Sequence, residues 1–379
     1  MRLLESLTQC WKTCQHELFP RLQDHYKEPL NEQHKLFVTM LGLIQIENFV
    51  HNWPGLTGRP ASDRQALARA FAAKPIFKIK QTAALIERLK IDRTLRQLCG
   101  WTSTKQIPSE ATFSRAFAEF AESGLPTRMH EALIKSAYKE QIVGHISRDS
   151  TAIEAREKPV KKPKIDEPKR KRGRPKKGEE RPQKPPRRLE LQKDMTLPEM
   201  LADLPKPCDV GSKQNAKGYR QSWVGYKLHI DTADGGIPIS CVLTSASLHD
   251  SQVAIPLATM TDERVNSCYD LMDAAYDCPE IKDHSRSLGH VPIIDVNPRA
   301  DKALKEELAA EAKRLKLLGH RMPEDIRYNE RSTAERTNAR LKDEFGGRDI
   351  WVKGNEKVMC HLMFGILALT VDQMMRLVA

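Results

Sequence analysis

The chain has 379 residues, of which 40% are hydrophobic and 30% charged, and its formal net charge is +12. This length allows two or more domains, one of them with a sizeable core, and the basic balance indicates a polyanionic partner. The eight cysteines lack paired zinc-type spacing, which is typical of reduced thiols and argues against a disulfide framework. We predict no secretory signal, and the apolar stretches 36–50 and 358–371 are too short to span a membrane, so we expect core helices there.

The first 141 residues show the 3.6-residue hydrophobic period of helices. Ser62 and Asp63 fit a capping box that opens a helix through Ala73. A later helix, Glu110–Glu122, carries Arg115, which could recognise DNA ends, although a structural core helix explains the same pattern equally well. The sequence therefore predicts an all-α N-terminal domain over 1–141, a candidate for DNA-end binding or dimerisation.

The composition changes between residues 155 and 193, where there are 17 Lys and Arg against 6 Asp and Glu, seven prolines and no aromatic residue. Such a segment cannot bury enough apolar surface to offset its chain entropy, so we expect a disordered insertion. It contains Arg172, Gly173, Arg174 and Pro175, the Arg-Gly-Arg-Pro core of an AT-hook, which suits a narrow A·T minor groove. A generic cationic linker that binds DNA through counterion release explains the composition as well.

Strand patterns begin at 144–153, which contains Asp149, and resume after the insertion. Alternating apolar residues over 223–231 and 237–243, joined by Asp234-Gly235-Gly236, predict an antiparallel hairpin. Further predicted elements are a helix over 251–260, short strands over 270–275 and 291–296, and helices over 303–318, 330–345 and 357–377. This order favours a mixed sheet flanked by helices, three layers deep, over 142–379.

Three acidic residues on separate predicted elements form a candidate catalytic site. Asp149 and Asp273 lie on strands, whereas Glu335 lies on a helix that carries Arg331 and Lys342 on the same face. Two divalent ions about 4 Å apart assist attack on a phosphodiester, and Mg²⁺ or Mn²⁺ prefers carboxylate oxygens. We therefore predict that the three acids bind two such ions and are catalytic. Taken singly, each acid is more often a solvated or capping residue, and Arg331 with Glu335 is also an ordinary helix ion pair.

The residues from Tyr328 to Lys342 resemble the Tyr-x2-Arg-x3-Glu-x6-Lys signature of DDE transposases from bacterial insertion sequences, in the insertion-sequence four/five superfamily. The four signature positions are filled by Tyr328, Arg331, Glu335 and Lys342. Asp273-Ala274-Ala275-Tyr276 is similar to the second motif of that family, and Arg148-Asp149-Ser150-Thr151 to its first. Gly58-Arg59-Pro60 and the segment 108–115 resemble its N-terminal domain.

The resemblance implies a ribonuclease H-like catalytic fold of the α+β or α/β class, with metal bound by Asp149, Asp273 and Glu335. Tyr328, Arg331 and Lys342 would then orient the DNA backbone. The implied enzyme is a transposase that cuts the terminal inverted repeats of its element and joins the freed 3′-hydroxyls to target double-stranded DNA. The resemblance also implies a homodimer or higher multimer in the bacterial cytoplasm, associated with the nucleoid and without a membrane partner.

Three points stay open at this stage. His249-Asp250-Ser251 could approach the catalytic site, or it could anchor a loop or cap a helix. The chain could be a non-catalytic, AT-hook-type DNA-binding protein derived from a decayed transposase. It could also be a related metal-dependent nuclease that cuts DNA without joining it.

Overall fold

The computed structural model of the protein describes residues 3–50, 62–138, 141–160, 186–214 and 218–378. The AT-hook core formed by Arg172, Gly173, Arg174 and Pro175 lies outside the described residues, as does Gly58-Arg59-Pro60. The predictions made for these two motifs therefore stay predictions.

The N-terminal part of the chain is helical, as predicted. Its helices are α1 (Leu3–Thr13), α2 (Phe19–Tyr26), α3 (Glu32–Ile44), α4 (Arg64–Ile76), α5 (Thr82–Ile91), α6 (Arg93–Cys99), α7 (Glu110–Glu122) and α8 (Leu125–Tyr138). Asp63 is the N-cap of α4, because its side chain accepts hydrogen bonds from the backbone N–H groups of Gln65 and Ala66. The cap therefore lies one residue later than Ser62, and α4 continues past Ala73 with Pro75 inside its last turn.

The second part of the chain contains a six-stranded sheet. The strands are β1 (Ile142–Glu154), β2 (Asp209–Gln214), β3 (Arg220–Ala233), β4 (Ile237–Ser245), β5 (Asn266–Met272) and β6 (Val291–Ile294). The helices of this part are α9 (Arg188–Leu191), α10 (Leu197–Asp203), α11 (Ser251–Asp262), α12 (Pro279–Ser287), α13 (Lys302–Leu318), α14 (Pro323–Tyr328), α15 (Ser332–Glu344) and α16 (Asn355–Arg376).

The sheet is mixed, as predicted. Its strand order is β2-β3-β1-β5-β6, and β4 pairs with β3 as a further branch. β1, β5 and β6 run parallel, whereas β3 is antiparallel to β1, β2 and β4. The predicted hairpin is confirmed as β3 and β4, and the turn between them places Gly235 and Gly236 at positive φ, where glycine carries no steric penalty.

Three sequence predictions need correction. β5 ends at Met272, so Asp273 follows the strand instead of lying within it. The strand predicted at 291–296 is shorter and lies at the edge of the sheet, which leaves Val291 52% exposed. The prediction of disorder is wrong at the C-terminal end of the insertion, because Arg188–Leu191 forms a helical turn whose Leu189 is buried in an apolar cluster with Met200.

Helices cover both faces of the sheet and connect it to the N-terminal part. α11 packs on β3 and β4, whereas α15 packs on β1 and β3. α16 is long and apolar enough to cross a membrane by composition, yet most of it is buried against α3, α4, α7, α8 and β4. The stretches 36–50 and 358–371 thus contribute to the core, as expected, and one hydrophobic cluster extends from the N-terminal helices through α16 to the sheet.

Candidate active site

Asp149 and Asp273 lie side by side because β1 and β5 are parallel neighbours. Ile146 pairs with Asp270, and Ser147 pairs with Leu271. Continuing this register by two residues places Asp149 opposite Asp273, directly after the end of β5. Neighbouring strands are about 4.8 Å apart. The two carboxylates are therefore attached to adjacent backbone positions, level with the C-terminal end of β5.

Asp149 points towards α15. Asn338 Nδ2 donates a hydrogen bond of 3.0 Å to Asp149 Oδ2, and Ser147 Oγ, on the same face of β1, donates to the Glu330 carbonyl. Burial raises the pKa of Asp149 to about 6, and the charge of Asp273 acts in the same direction, against the nearby cations Lys213 and Arg331. Ionising this buried carboxylate costs free energy when no cation is bound. A cation bound beside it would stabilise the ionised form.

Asp273 caps a short 3-10 helix, Ala274–Tyr276. Its Oδ1 accepts a hydrogen bond of 2.9 Å from the backbone N–H of Ala275. Tyr276 is 2% exposed, and its hydroxyl has no hydrogen-bond partner in the part of the chain that the structure describes. Burial raises the pKa of Tyr276 well above its usual value, as do the charges of Asp250, Asp149 and Asp273, so the phenol lies among three carboxylates.

Glu335 does not share this position with the two aspartates. Its carboxylate forms an ion pair of 2.6 Å with Arg331, and its side chain is 55% exposed. Across the described ranges, no three His, Cys, Asp or Glu side chains come close enough together to hold one metal ion. The structure thus brings Asp149 and Asp273 together and leaves Glu335 on the neighbouring helix, because like charges repel and Arg331 offers Glu335 an opposite charge.

The other signature residues surround the same region. Tyr328 Oη donates a hydrogen bond of 2.5 Å to Asp295 Oδ2, and the Arg331 guanidinium lies over the Tyr328 ring, 5.6 Å from its centroid. Lys342 is half-buried two turns further along α15, and burial lowers its pKa. Arg331 thus lies near both Asp149 and Glu335.

The residues around Asp149 fit a hard divalent cation. Asp149 and Asp273 supply carboxylate oxygens from adjacent positions. Asn338 is 5% exposed, and its Oδ1 has no hydrogen-bond partner among the described residues. Mg²⁺ and Mn²⁺ prefer carboxylate, carbonyl and water oxygens, so the two carboxylates and the amide of Asn338, which contacts Asp149 through Nδ2, supply the appropriate kind of donor.

Similarity to known protein families identifies the family of the chain. The family described as "Transposase DDE domain" matches residues 144–371, more than half of the chain. The chain belongs to the DDE transposase family. A second family, "Transposase domain (DUF772)", matches residues 23–119, within the helical N-terminal part. No curated protein and no solved structure matched the chain.

The family assignment agrees with the motifs and with the fold. This transposase is of the insertion-sequence four/five-like kind, and its mixed sheet with helices on both faces is consistent with a ribonuclease H-like catalytic domain. The matched residues 144–371 include Asp149, Asp273 and Glu335. All three acids predicted from the sequence therefore fall within the family's DDE domain.

Sequence reasoning did not predict a buried ion pair directly behind the candidate site. Arg148 is 2% exposed and donates to both carboxylate oxygens of Asp231, at 2.8 and 2.6 Å. Asp231 also accepts a hydrogen bond of 2.7 Å from Thr261 Oγ1 on α11. The pair joins β1 to β3 at the residue before Asp149. Both strands carry several other polar residues, so no pattern in the sequence distinguished Arg148 and Asp231 as a buried pair.

His249-Asp250-Ser251 both begins a helix and approaches the site. Asp250 directly precedes α11, and Ser251 Oγ and His249 Nδ1 share a hydrogen bond of 2.8 Å. The Asp250 carboxylate lies 2.8 Å from Lys227 Nζ, and its charge acts on the Tyr276 phenol. His249 and Ser251 also line a cleft of about 440 Å³ that Ala274 and Ala275 share. The segment thus lies near the site, and the side chain of Asp250 does not cap α11.

The ionised Asp149 is expected to destabilise the fold of this transposase at neutral pH when no metal is bound. Burial raises its pKa from 3.8 to about 6, so the folded state binds a proton more tightly than the unfolded state, and stability falls as the pH rises through about 6. Asp149→Asn should therefore increase the free energy of unfolding by about 2–3 kcal/mol at pH 7.5, measured by urea denaturation with EDTA present.

The pH dependence separates this effect from a change in packing. At pH 3.5 Asp149 is protonated in both the folded and the unfolded state for most molecules, so the gain from Asp149→Asn should largely disappear. An equal gain at both pH values would contradict the electrostatic explanation. Asp283→Asn, an exposed position paired only with Arg286 on its own helix, is a suitable control.

Proposed function

We propose that this transposase cuts DNA at the terminal inverted repeats of its element and joins the freed 3′-hydroxyls to target DNA, with Asp149, Asp273 and Glu335 as its catalytic residues. The observation that carries the proposal is the parallel register that sets Asp149 beside Asp273 in a DDE transposase domain. Glu335 would complete the set from α15, where Asn338, one turn further along, already contacts Asp149.

Two Mg²⁺ or Mn²⁺ ions held by these carboxylates would activate the attacking oxygen and stabilise the leaving oxygen. Glu335 must leave its ion pair with Arg331 to join the aspartates. Arg331 is then free to bind a phosphate oxygen, since a guanidinium matches phosphate geometry. The exchange of a carboxylate for a phosphate at Arg331 links the arrival of DNA to the assembly of the acidic residues.

The remaining residues in the proposal bind and orient DNA. Tyr328, three residues before Arg331, would contact the backbone near the scissile phosphate, and Lys342, further along α15, would contact the backbone further along the strand. In the N-terminal part, an open cleft of about 940 Å³ is lined by Arg64, Lys105 and Arg115. We propose that this cleft binds the terminal repeats, because backbone contacts by such cations position DNA. Cutting and joining two ends further requires a homodimer or a higher multimer.

A single assay tests the proposed reaction. Labelled DNA carrying the inverted repeats of the element is incubated with the full chain, Mg²⁺ and a target plasmid, and the products are separated on a denaturing gel. Joined products are expected. Cleavage without joining would identify a nuclease, and binding without cleavage would identify a decayed transposase that retains only DNA binding.

The basic segment is expected to strengthen DNA binding without taking part in cleavage. Deletion of residues 160–188 would also remove Arg187 and Arg188, which pair with Glu280 and Asp203, so a cleaner change replaces residues 161–185 by an uncharged linker of equal length. For every phosphate that the segment no longer neutralises, the slope of log affinity against log salt should decrease by about 0.9. We expect a clearly flatter slope in a filter-binding titration, with cleavage still measurable.

The AT-hook hypothesis needs a narrower change within the same segment. Arg172 and Arg174 replaced together by Ala should reduce the preference for A·T-rich over G·C-rich competitor DNA, since minor-groove arginines depend on groove width. Lys161 and Lys162 replaced together by Ala provide the charge-matched control. A salt slope unaffected by the linker would show that the segment does not contact DNA.

A further inference from the structure

We propose that the cavity between α4 and the α15–α16 junction is a phosphate-binding site, and that the phosphate it holds belongs to the backbone of bound DNA. The cavity has a volume of about 170 Å³ and is lined by residues from the end of α4 and from both sides of Gly346. The chemistry of the ligand follows from the cavity alone, whereas its source in DNA rests on the proposed function.

Lys74 is the central residue of the cavity. It is only 7% exposed, and within the described ranges its ammonium group forms no hydrogen bond and no ion pair. Asp349 is the carboxylate that acts on it, but Asp349 forms an ion pair of 3.2 Å with Lys80. Burial lowers the pKa of Lys74 to about 8. An unpaired buried ammonium is costly, and an anion in the cavity would remove that cost.

The other charges around the cavity leave a positive excess. The side chains of Lys78 and Lys342 line the cavity and form no ion pair or hydrogen bond among the described residues. The two acidic residues of α15 that reach the cavity have their own partners: Asp343 pairs with Arg348, and Glu344 pairs with Arg340. Three lysines are therefore available to one anion, while the neighbouring carboxylates are neutralised.

Aromatic side chains form part of the cavity walls. Phe71, Phe117 and Phe364 line them, and His361, which also lines the cavity, is held neutral because burial and the Lys74 charge lower its pKa to about 4. Apolar walls exclude water and strengthen the attraction between an ammonium group and an anion. A tetrahedral phosphate can accept hydrogen bonds from several ammonium groups at once, which fits a cavity lined by lysines from the end of α4 and from α15.

The position of the cavity relates it to DNA. Lys342 lies seven residues after Glu335 on α15, a distance of about 10 Å along a helix. A DNA strand that runs from Asp149 along α15 would therefore pass Lys342 and reach Lys74 at the surface of the N-terminal part. The site would hold the backbone away from the reacting phosphate and contact both parts of the chain.

The first experiment uses inorganic phosphate and needs no activity. The melting temperature of the full chain is measured in phosphate and in chloride at equal ionic strength, with EDTA present. Phosphate is expected to raise the melting temperature of the wild type by a few degrees, since a ligand that binds only the folded state stabilises it. Lys74→Met should abolish this rise, and in chloride it should melt at or above the wild-type temperature because the unpaired charge is gone.

The matched control is Lys90→Met, which removes an exposed lysine of the same part of the chain that pairs with Glu87. It should respond to phosphate as the wild type does. A wild type that does not respond to phosphate, or a Lys74→Met variant that still responds fully, would overturn the proposal.

The second experiment identifies the source of the phosphate. Affinity for end DNA is measured against salt concentration for the wild type, Lys74→Met and Lys90→Met. Lys74→Met is expected to weaken binding about 3–10-fold and to reduce the salt slope by about 1, whereas Lys90→Met changes neither. If phosphate stabilises the wild type but DNA binding by Lys74→Met is unchanged, the site takes free phosphate and the DNA assignment is wrong. Both readouts are independent of cleavage, so an inactive wild type would refute the proposed reaction and leave this site standing.

Discussion

Replacement of Asp149, Asp273 or Glu335 by Ala is expected to reduce cleavage of the element ends by about a thousandfold or more, which corresponds to roughly 4 kcal/mol of transition-state stabilisation. Each acid would supply oxygen ligands to ions that stabilise both the attacking and the leaving oxygen, so the loss of one disturbs the whole site. Binding of end DNA should stay within about twofold of the wild type, because the cations that contact phosphate are retained.

The three variants are compared in single-turnover cleavage and in gel-shift titrations. Glu330→Ala is the matched control, since Glu330 is an exposed acid five residues before Glu335 and uses only its backbone carbonyl to contact Ser147. Strand transfer retained by any of the three variants would remove that residue from the catalytic set. Glu335 is the most informative of the three, because its side chain contacts Arg331 and not the aspartates.

Arg148→Met is expected to lower the free energy of unfolding by about 3–5 kcal/mol, the usual cost of leaving one partner of a buried ion pair without the other. Asp231 is fully buried and its remaining side-chain partner would be Thr261. Urea denaturation at pH 7.5 measures the decrease. Because the pair joins β1 to β3 beside Asp149, cleavage should fall with stability.

The double variant Arg148→Met, Asp231→Leu separates the effect of the unpaired charge from that of poorer packing. Removal of both charges should recover most of the stability, since replacing a buried pair by apolar residues of similar size is often neutral or stabilising. A double variant as unstable as the single one would mean that Arg148 acts through shape and not through charge. Arg286→Met, whose partner Asp283 is exposed, should change stability by less than about 1 kcal/mol.

Local patterns in the sequence predicted the elements that hold the candidate site. The alternation on either side of Asp234-Gly235-Gly236 predicted the β3–β4 hairpin, because one buried face and a turn that needs positive φ are both encoded within a few residues. The spacing of Arg331, Glu335 and Lys342 placed them on one helix, now α15 with its preceding turn. Boundaries were less accurate, as the end of β5 before Asp273 illustrates.

Those local patterns could not predict contacts between distant parts of the chain. The composition of the basic stretch predicts no helix or strand, yet Leu189 near its C-terminal end is buried because Met200 and α11 offer an apolar surface there. In the sequence, Lys74 resembles an ordinary exposed lysine of α4, and only the tertiary structure, in which α16 packs against that helix and α15 contributes to the same cavity, makes it a largely buried cation.

The sequence by itself thus determined the family and the helical and mixed-sheet parts, and it predicted three acidic candidates, since these depend on residue types at short, regular spacings. Only the tertiary structure decided which side chains meet. The parallel pairing of β1 with β5 joins Asp149 to Asp273 across more than a hundred residues of chain. The pairing of Glu335 with Arg331, away from the two aspartates, depends likewise on distances in space, because electrostatic energy varies with separation and burial and not with position along the chain.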